Sequence, residues 1–309
     1  MPDTFFTEPP HWRWLIVLYF FVGGIAGGCF FLAALLHLVG RPTDRGLVRL
    51  GYYIAFVGVV VSGILLIVDL GRPERFWHMV IQSKTGRPML KYWAPMSVGV
   101  WGLLVFGVCT FLAALGGLYE AGRVRWGIAG PLVRRPISTV IAIVGGIAGF
   151  FLAGYTGVLL SVTNRPIWAD SSWLGALYLM SAASSAAALL ILLARRRRVI
   201  DAVTLGGLER FDRYVLVLEL LTLIVFLASL GSAARVFLSA WGVVLLLIVV
   251  AGILVPLVIA SERFGRFRGR LLTPYTAAGL VLLGGFMLRV ATIFPSEQVK
   301  VVGTRVLHP

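Results

Sequence analysis

Long apolar runs separated by short basic stretches set the pattern of this chain. Eight runs stand out, at roughly 12–40, 50–70, 92–118, 137–163, 173–194, 214–231, 241–260 and 273–294. About 18 apolar residues in a row suffice for a helix to cross a bilayer. Nothing between the runs is long enough for a soluble domain. The pattern therefore predicts an all-α polytopic membrane protein with eight transmembrane helices. It divides into a four-helix bundle over 1–170 and a second four-helix half over 171–309.

One stretch gives these helices a polar focus, Tyr155–Trp173. Apolar residues carry a helix from Val158 to Val162, and Asn164-Arg165-Pro166 stops it, because proline disfavours helical backbone in the residue before it. Tyr155 lies about eight residues earlier, which at 1.5 Å per residue puts it roughly 12 Å below the membrane surface. A phenol at that depth has an apolar body and a polar tip that seeks a partner when buried. The alternative is an interfacial-belt tyrosine that only packs.

Composition narrows the class. The chain is 59% hydrophobic and 13% charged, against about 25% charged in soluble domains, and its mean hydropathy is +0.93. The formal net charge of +15 could suggest nucleic acid, but the arginines sit between spans, where they report membrane topology. No nucleic-acid partner is expected. The loops after the odd-numbered spans hold 17 of the 28 Lys and Arg, against 11 on the other side. By the positive-inside rule both termini then lie outside. The loop 71–91 departs from the rule, with Arg72, Arg75, Lys84, Arg87 and Lys91 on the outer side, and a docked partner would account for them. The first run is too long, and lacks the small-residue site, for a cleavable signal peptide.

Redox cofactors can be tested by counting. The two cysteines, Cys29 and Cys109, are too few for an iron–sulfur cluster in this chain and read as small core residues. Of His11, His37, His78 and His308 only His37 lies clearly inside a span, and C-x-x-C-H is absent, so no haem and no metal site are expected. Walker A, Rossmann and nucleophile-elbow patterns are absent too.

Two glycine clusters, Gly23–Gly28 and Gly145–Gly149, place small residues four apart, which lets helix backbones approach closely in lipid. Polar groups gather at the outer end of spans 1 to 4. Tyr19 lies about a turn and a half into span 1. Asp69 ends span 2 and is followed by Arg72, Glu74, Arg75 and His78. Tyr92 opens span 3. Tyr155 and Asn164 are on span 4, with Arg165, Trp168 and Asp170 beyond. An ionisable group near membrane depth is a functional candidate by default, which singles out Asp69; it would otherwise be a helix-end carboxylate paired with Arg72 or Arg75. Deeper in this half the main polar side chains are Cys29, Ser62, Ser97 and Thr110, with His37 near the inner end of span 1, a poor proton path. Glu219 in the inner part of span 6 reads as an isolated acid, either part of a proton path or a paired structural group.

Three stretches together resemble the NrfD/PsrC family, the integral membrane subunits of polysulfide reductase-type enzymes. They are Asp69-Leu70-Gly71-Arg72-Pro73-Glu74-Arg75-Phe76, Tyr155 through Ser161, and Asn164-Arg165-Pro166-Ile167-Trp168. The span 1 pattern Tyr19 through Gly28 also fits. The resemblance covers about the first 175 residues well and the second half in helix count. It implies a quinone, menaquinone or ubiquinone, among the first four helices. It implies a four-cluster ferredoxin-like iron–sulfur subunit docked on the outer face, and a molybdopterin catalytic subunit beyond it. The membrane would be the cytoplasmic membrane of a bacterium or archaeon. Tyr155 would contact the quinone, with Tyr19, Asn164, Arg72 and Arg165 as further contacts and Asp69 and His78 passing protons. Leu15 and Tyr19 stand where the resemblance leads one to expect asparagine and histidine. Alongside this reading stand a transporter or channel, and a purely structural anchor for a peripheral complex.

Overall fold

The structure, a computed structural model, describes residues 12–260, 273–297, 300–302 and 305–307. His11, His308 and the basic segment 261–272 lie outside the described residues. Helix α1 spans Trp14–Val39, α2 Arg45–Asp69 and α3 Pro95–Glu120. A single turn, α4 (Gly130–Val133), leads into α5 (Ile137–Ser161) and then α6 (Leu174–Arg197). Helix α7 covers Ala202–Ser229. Helix α8 (Ala240–Leu247) continues through a π-helical segment, Ile248–Leu254, into α9 (Val255–Ala260), and α10 covers Pro274–Ile293. A short antiparallel hairpin, β1 (Lys300–Val302) and β2 (Arg305–Leu307), follows.

Among the described residues, seven helical segments are long and apolar enough to cross a membrane. Helix α7 with the 3-10 segment Gly231–Leu238 passes the same test only as a pair bent by 110°, making up to eight. The all-α, multi-pass expectation therefore holds, with seven or eight spans. Successive spans alternate in direction, so the molecule has two end faces. The first face carries the start of α1 and the connections 70–94 and 162–173; the second carries the opposite helix ends.

Two boundaries differ from the hydropathy reading. The gap between apolar runs at 195–213 predicts a loop, yet α7 begins at Ala202. Asp201 accepts from the Thr204 N–H at 2.8 Å, and such a capping carboxylate satisfies a donor that the helix start leaves orphaned. Helix propagation then needs no apolar run, so α7 carries Glu209, Arg210, Asp212 and Arg213. Tyr92 does not open span 3. It lies ahead of α3 and is exposed, because Pro95 takes the first helical position, where its missing N–H costs nothing.

Helix α1 is the hub, packing on α2, α5, α6 and α10. Its sequence makes this possible. A Cβ on Gly27 would overlap the Gly149 carbonyl and one on Gly149 would overlap Gly27, so the two glycine clusters meet each other where α1 crosses α5. Gly28 presses on Ala182 and Ala186 of α6. In lipid this close packing replaces the hydrophobic drive between helices. One buried cluster, including Phe30, Phe106 and Leu152, fills the space among α1, α2, α3 and α5. A second, including Trp168, Tyr178, Phe226 and Leu288, joins the start of α1 to the later helices.

Candidate functional site

Tyr155 stands on the inner surface of α5 and is buried, 6% exposed. Its ring stacks on Phe151 with centroids 5.2 Å apart. Its hydroxyl donates to the Pro95 carbonyl, the first residue of α3, at 2.6 Å. The phenol reaches this point because Gly99 has no side chain: a Cβ there would fall on the Tyr155 hydroxyl and ring. Gly102, one turn on, receives the Phe151 ring in the same way. An α3 start with an open flank and an α5 tyrosine thus build one niche. The hydroxyl sits on the first turn of α3, nearer the first face than the helical rise alone suggests.

Tyr19 of α1 is buried at 4% exposure and is an electrostatic neighbour of Tyr155. The space beside Gly23 is shared by the Tyr19 ring and Ser62 Oγ of α2. Ser62 Oγ and Thr156 Oγ1 are buried polar atoms with no hydrogen-bond partner within the chain, which is uncommon for buried hydroxyls. Polar groups from α1, α2 and α5 therefore converge in one buried region.

The other expected residues are distributed around it. Asp69, half-buried, has Arg13 as its cationic neighbour. No ion pair joins it to Arg72 or Arg75 among the described residues. Arg72 is exposed and ends the turn before the 3-10 segment Pro73–Met79, whose His78 packs its ring 3.8 Å from that of Trp77. Asn164 is exposed. Arg165 is buried and lies over the Trp168 ring at 5.7 Å. Trp168 in turn donates Nε1–H to the Thr292 carbonyl of α10 at 2.7 Å and stacks on Trp12. That pair pins the 162–173 loop to the second half, away from the Tyr155 niche.

Above the niche the 70–94 connection presents Arg72, Arg75, Lys84, Arg87 and Lys91, all exposed and outside any ion pair among the described residues. Phe76, Trp77, Tyr92 and Trp93 are exposed among them, the last two at 80% and 67%. Cations interleaved with large aromatic rings at one end face mark a surface suited to a protein partner.

Sequence reasoning missed two features. Gly99 gave no signal, since a glycine in an apolar run reads only as small. Glu219 is not isolated. Ser184 donates to its Oε2 at 2.7 Å, and Arg289 of α10, 1% exposed, donates to Ser181 Oγ at 2.7 Å one turn away on α6. Arg289 also lies over the Tyr178 ring at 5.1 Å. The count of Lys and Arg puts Arg289 among the 11 on the outer side, yet its side chain is buried between α6 and α10. Gly285 on its own helix leaves room for it to fold inward and bond the carbonyl there. Cys29 and Cys109 are both buried and unpaired. Among the described residues no three His, Cys, Asp or Glu side chains gather as a metal site would require.

Fold and site together define a multi-pass α-helical membrane protein with a buried tyrosine-centred polar region beneath one face. The family model for polysulphide reductase, NrfD, matches residues 3–301, and the chain belongs to that family. Among its relatives, a polysulfide reductase component of Wolinella succinogenes is 27% identical over 172 residues, 50% of this chain and 51% of that protein. The NrfD homolog of Haemophilus influenzae is 26% identical over 278 residues, 83% and 85% of the two chains. A selenate reductase component of Mesobacillus selenatarsenatis is 28% identical over 75 residues, covering 24% of this chain and 18% of that protein. The match to the first and last of these thus spans about half of the relative's length or less.

Proposed function

We propose that this chain is the quinone-reactive membrane subunit of a multi-subunit respiratory oxidoreductase, with an iron–sulfur subunit docked on its first face. The observation that carries the reading is the Tyr155 phenol, seated against Gly99 in a region shared with Tyr19 and Ser62 and roofed by the basic, aromatic 70–94 connection. Membership of a family with relatives named for polysulfide and selenate reductases supports it. The docked subunit would be a four-cluster ferredoxin-like protein, leading to a molybdopterin catalytic subunit. The first face then points out of the cytoplasmic membrane, with both termini outside.

A bound quinone supplies a carrier of two electrons and two protons. The buried residues fit its polar atoms. Tyr155 Oη gives its proton to Pro95 and keeps lone pairs that accept a hydrogen bond; turned out of the niche, it becomes a donor. Tyr19 and the unpartnered Ser62 hydroxyl add donors from the facing helices. Asp69 and His78, nearer the first face, exchange protons with the aqueous side. Arg72 and Asn164, exposed toward the first face, are the proposed outer contacts, while Arg165 belongs to the 162–173 loop that Trp168 holds to α10.

The test is purification of the tagged protein with its bound subunits in mild detergent, followed by assay of iron, molybdenum, haem and extracted quinone. Iron with stoichiometric quinone is the expected result. A single chain with neither removes the reading. The buried Glu219–Ser184 and Arg289–Ser181 pairs favour a second reading, transport of protons or ions through the second half. Flux by the isolated chain, abolished in Glu219→Gln, would decide for it.

A further inference from the structure

On the second face, opposite the tyrosine niche, lies a cavity of about 320 Å³ among the end of α1, the start of α2, the end of α3, α4 and the start of α5. Its charged lining is one-sided: Arg41, Arg45, Arg49 and Arg135 against the single carboxylate of Glu120. Glu120 is shared, 3.3 Å from Arg45 and 4.0 Å from Arg49. Arg41 and Arg135 have no ion-pair partner among the described residues. The rest of the wall is apolar, including Val48, Leu132 and Ile141.

We propose that this cavity binds the headgroup of an anionic phospholipid. The planar guanidinium fork matches phosphate oxygens in a bidentate manner. Two unpaired arginines facing one cavity leave a positive charge that a phosphodiester neutralises. A free phosphate would use the arginines equally well, but it would leave the apolar wall against water. A lipid covers that wall with its glycerol and acyl carbons. The site also lies on the face that the arginine count assigns to the cytoplasm, where anionic lipids draw basic segments and where basic pockets between spans hold phosphate headgroups. A lipid here ties α2 to α5 at the end where α4 and the connections around it link the helices.

The test uses the full chain, delipidated in detergent and examined by native mass spectrometry. It is presented separately with phosphatidylglycerol, phosphatidylcholine and orthophosphate. Phosphatidylglycerol should be retained on the order of tenfold more than phosphatidylcholine. The Arg41→Gln/Arg135→Gln variant should lose that preference, Arg41→Lys/Arg135→Lys should keep most of it, and millimolar orthophosphate should not displace the lipid. Equal retention of the two lipids overturns the proposal, as does an unchanged preference in the glutamine variant. Displacement by orthophosphate assigns the site to a free anion and overturns it too. Should the glutamine variant fail to fold, Leu132→Trp, which fills the apolar wall, decides instead: undiminished phosphatidylglycerol retention in it overturns the proposal.

Discussion

The two halves of this molecule handle buried polarity in opposite ways. In the first four spans charged groups are confined to the two ends, and toward one of them a buried tyrosine hydroxyl lies on a helix start. In the second half, charge sits deep: Arg289 and Glu219 are both buried and meet hydroxyls one turn apart on α6. A buried charge is costly unless paired and hydrogen-bonded. The second half therefore has to be assembled to be tolerated, and its charges serve cohesion first. Buried polar atoms without a partner occur in both halves, Ser62 Oγ and Thr156 Oγ1 in the first and Ser185 Oγ and Arg289 Nε in the second; Ser62 stands apart in sharing its space with Tyr19, the neighbour of Tyr155.

Substitutions can separate the two. The largest effect is expected from Arg289→Leu, which strands Glu219 without its cationic neighbour. Leaving a buried group unsatisfied costs about 1–3 kcal/mol, and more where the group is charged. Denaturation in detergent should show it, and Arg289→Leu/Glu219→Gln should recover part of the loss. No recovery would mean that the two charges are not coupled. Next is Gly27→Ala. Its methyl would overlap the Gly149 carbonyl, and overpacking of this kind costs about 1–3 kcal/mol. A Gly27→Ala variant as stable as wild type would show that α1 and α5 can separate at their crossing without loss.

In the niche, stability and turnover should part company. Tyr155→Phe removes one hydrogen bond, about 1 kcal/mol, but is expected to lower quinol-dependent turnover of the assembled complex by about ten- to a hundredfold. Gly99→Ala should mimic it, since the new Cβ displaces the phenol. Full turnover in both variants would remove Tyr155 from the chemistry and leave the first half as packing.

The smallest effect belongs to Asp201 at the start of α7. The Thr204 side chain and then its backbone N–H hold the Asp201 carboxyl below the usual carboxylate range. A depressed pKa stabilises the folded state at pH values above the unfolded pKa, and the gain fades as pH falls through the folded value. Asp201→Asn should thus lower the melting temperature slightly at neutral pH, and the difference from wild type should shrink in acid. A constant difference would point to the cap geometry alone.

Span positions were legible because lipid demands long apolar helices with all backbone groups satisfied internally. The stretch around Tyr155 was legible because Pro166 marks a helix end. Gly99 was not, because its importance lies in what another helix places against it, and one-dimensional pattern holds no such partner. Arg289 escaped for a related reason. An arginine four residues from the end of a span looks terminal by position, and only the small residues of α6 and α10 around it reveal that it folds inward. The helical start of α7 hid behind a charged run whose periodicity was not apolar, where one capping aspartate was the whole signal.

Ile167 closes the loop after α5 with φ at 72°, a backbone setting that β-branched residues avoid. It holds because the side chain is fully buried and its N–H meets Asp170 Oδ2 at 2.9 Å. Burying an isoleucine is worth about 1.5–3 kcal/mol, against about 1–2 kcal/mol for the left-handed conformation. The residue is kept by its side chain in spite of its backbone. Natural variation at Arg165, Ile167 and Trp168 should then follow the rules of an interior, tolerating swaps of similar volume, although on a diagram of the chain this stretch is drawn as a surface loop.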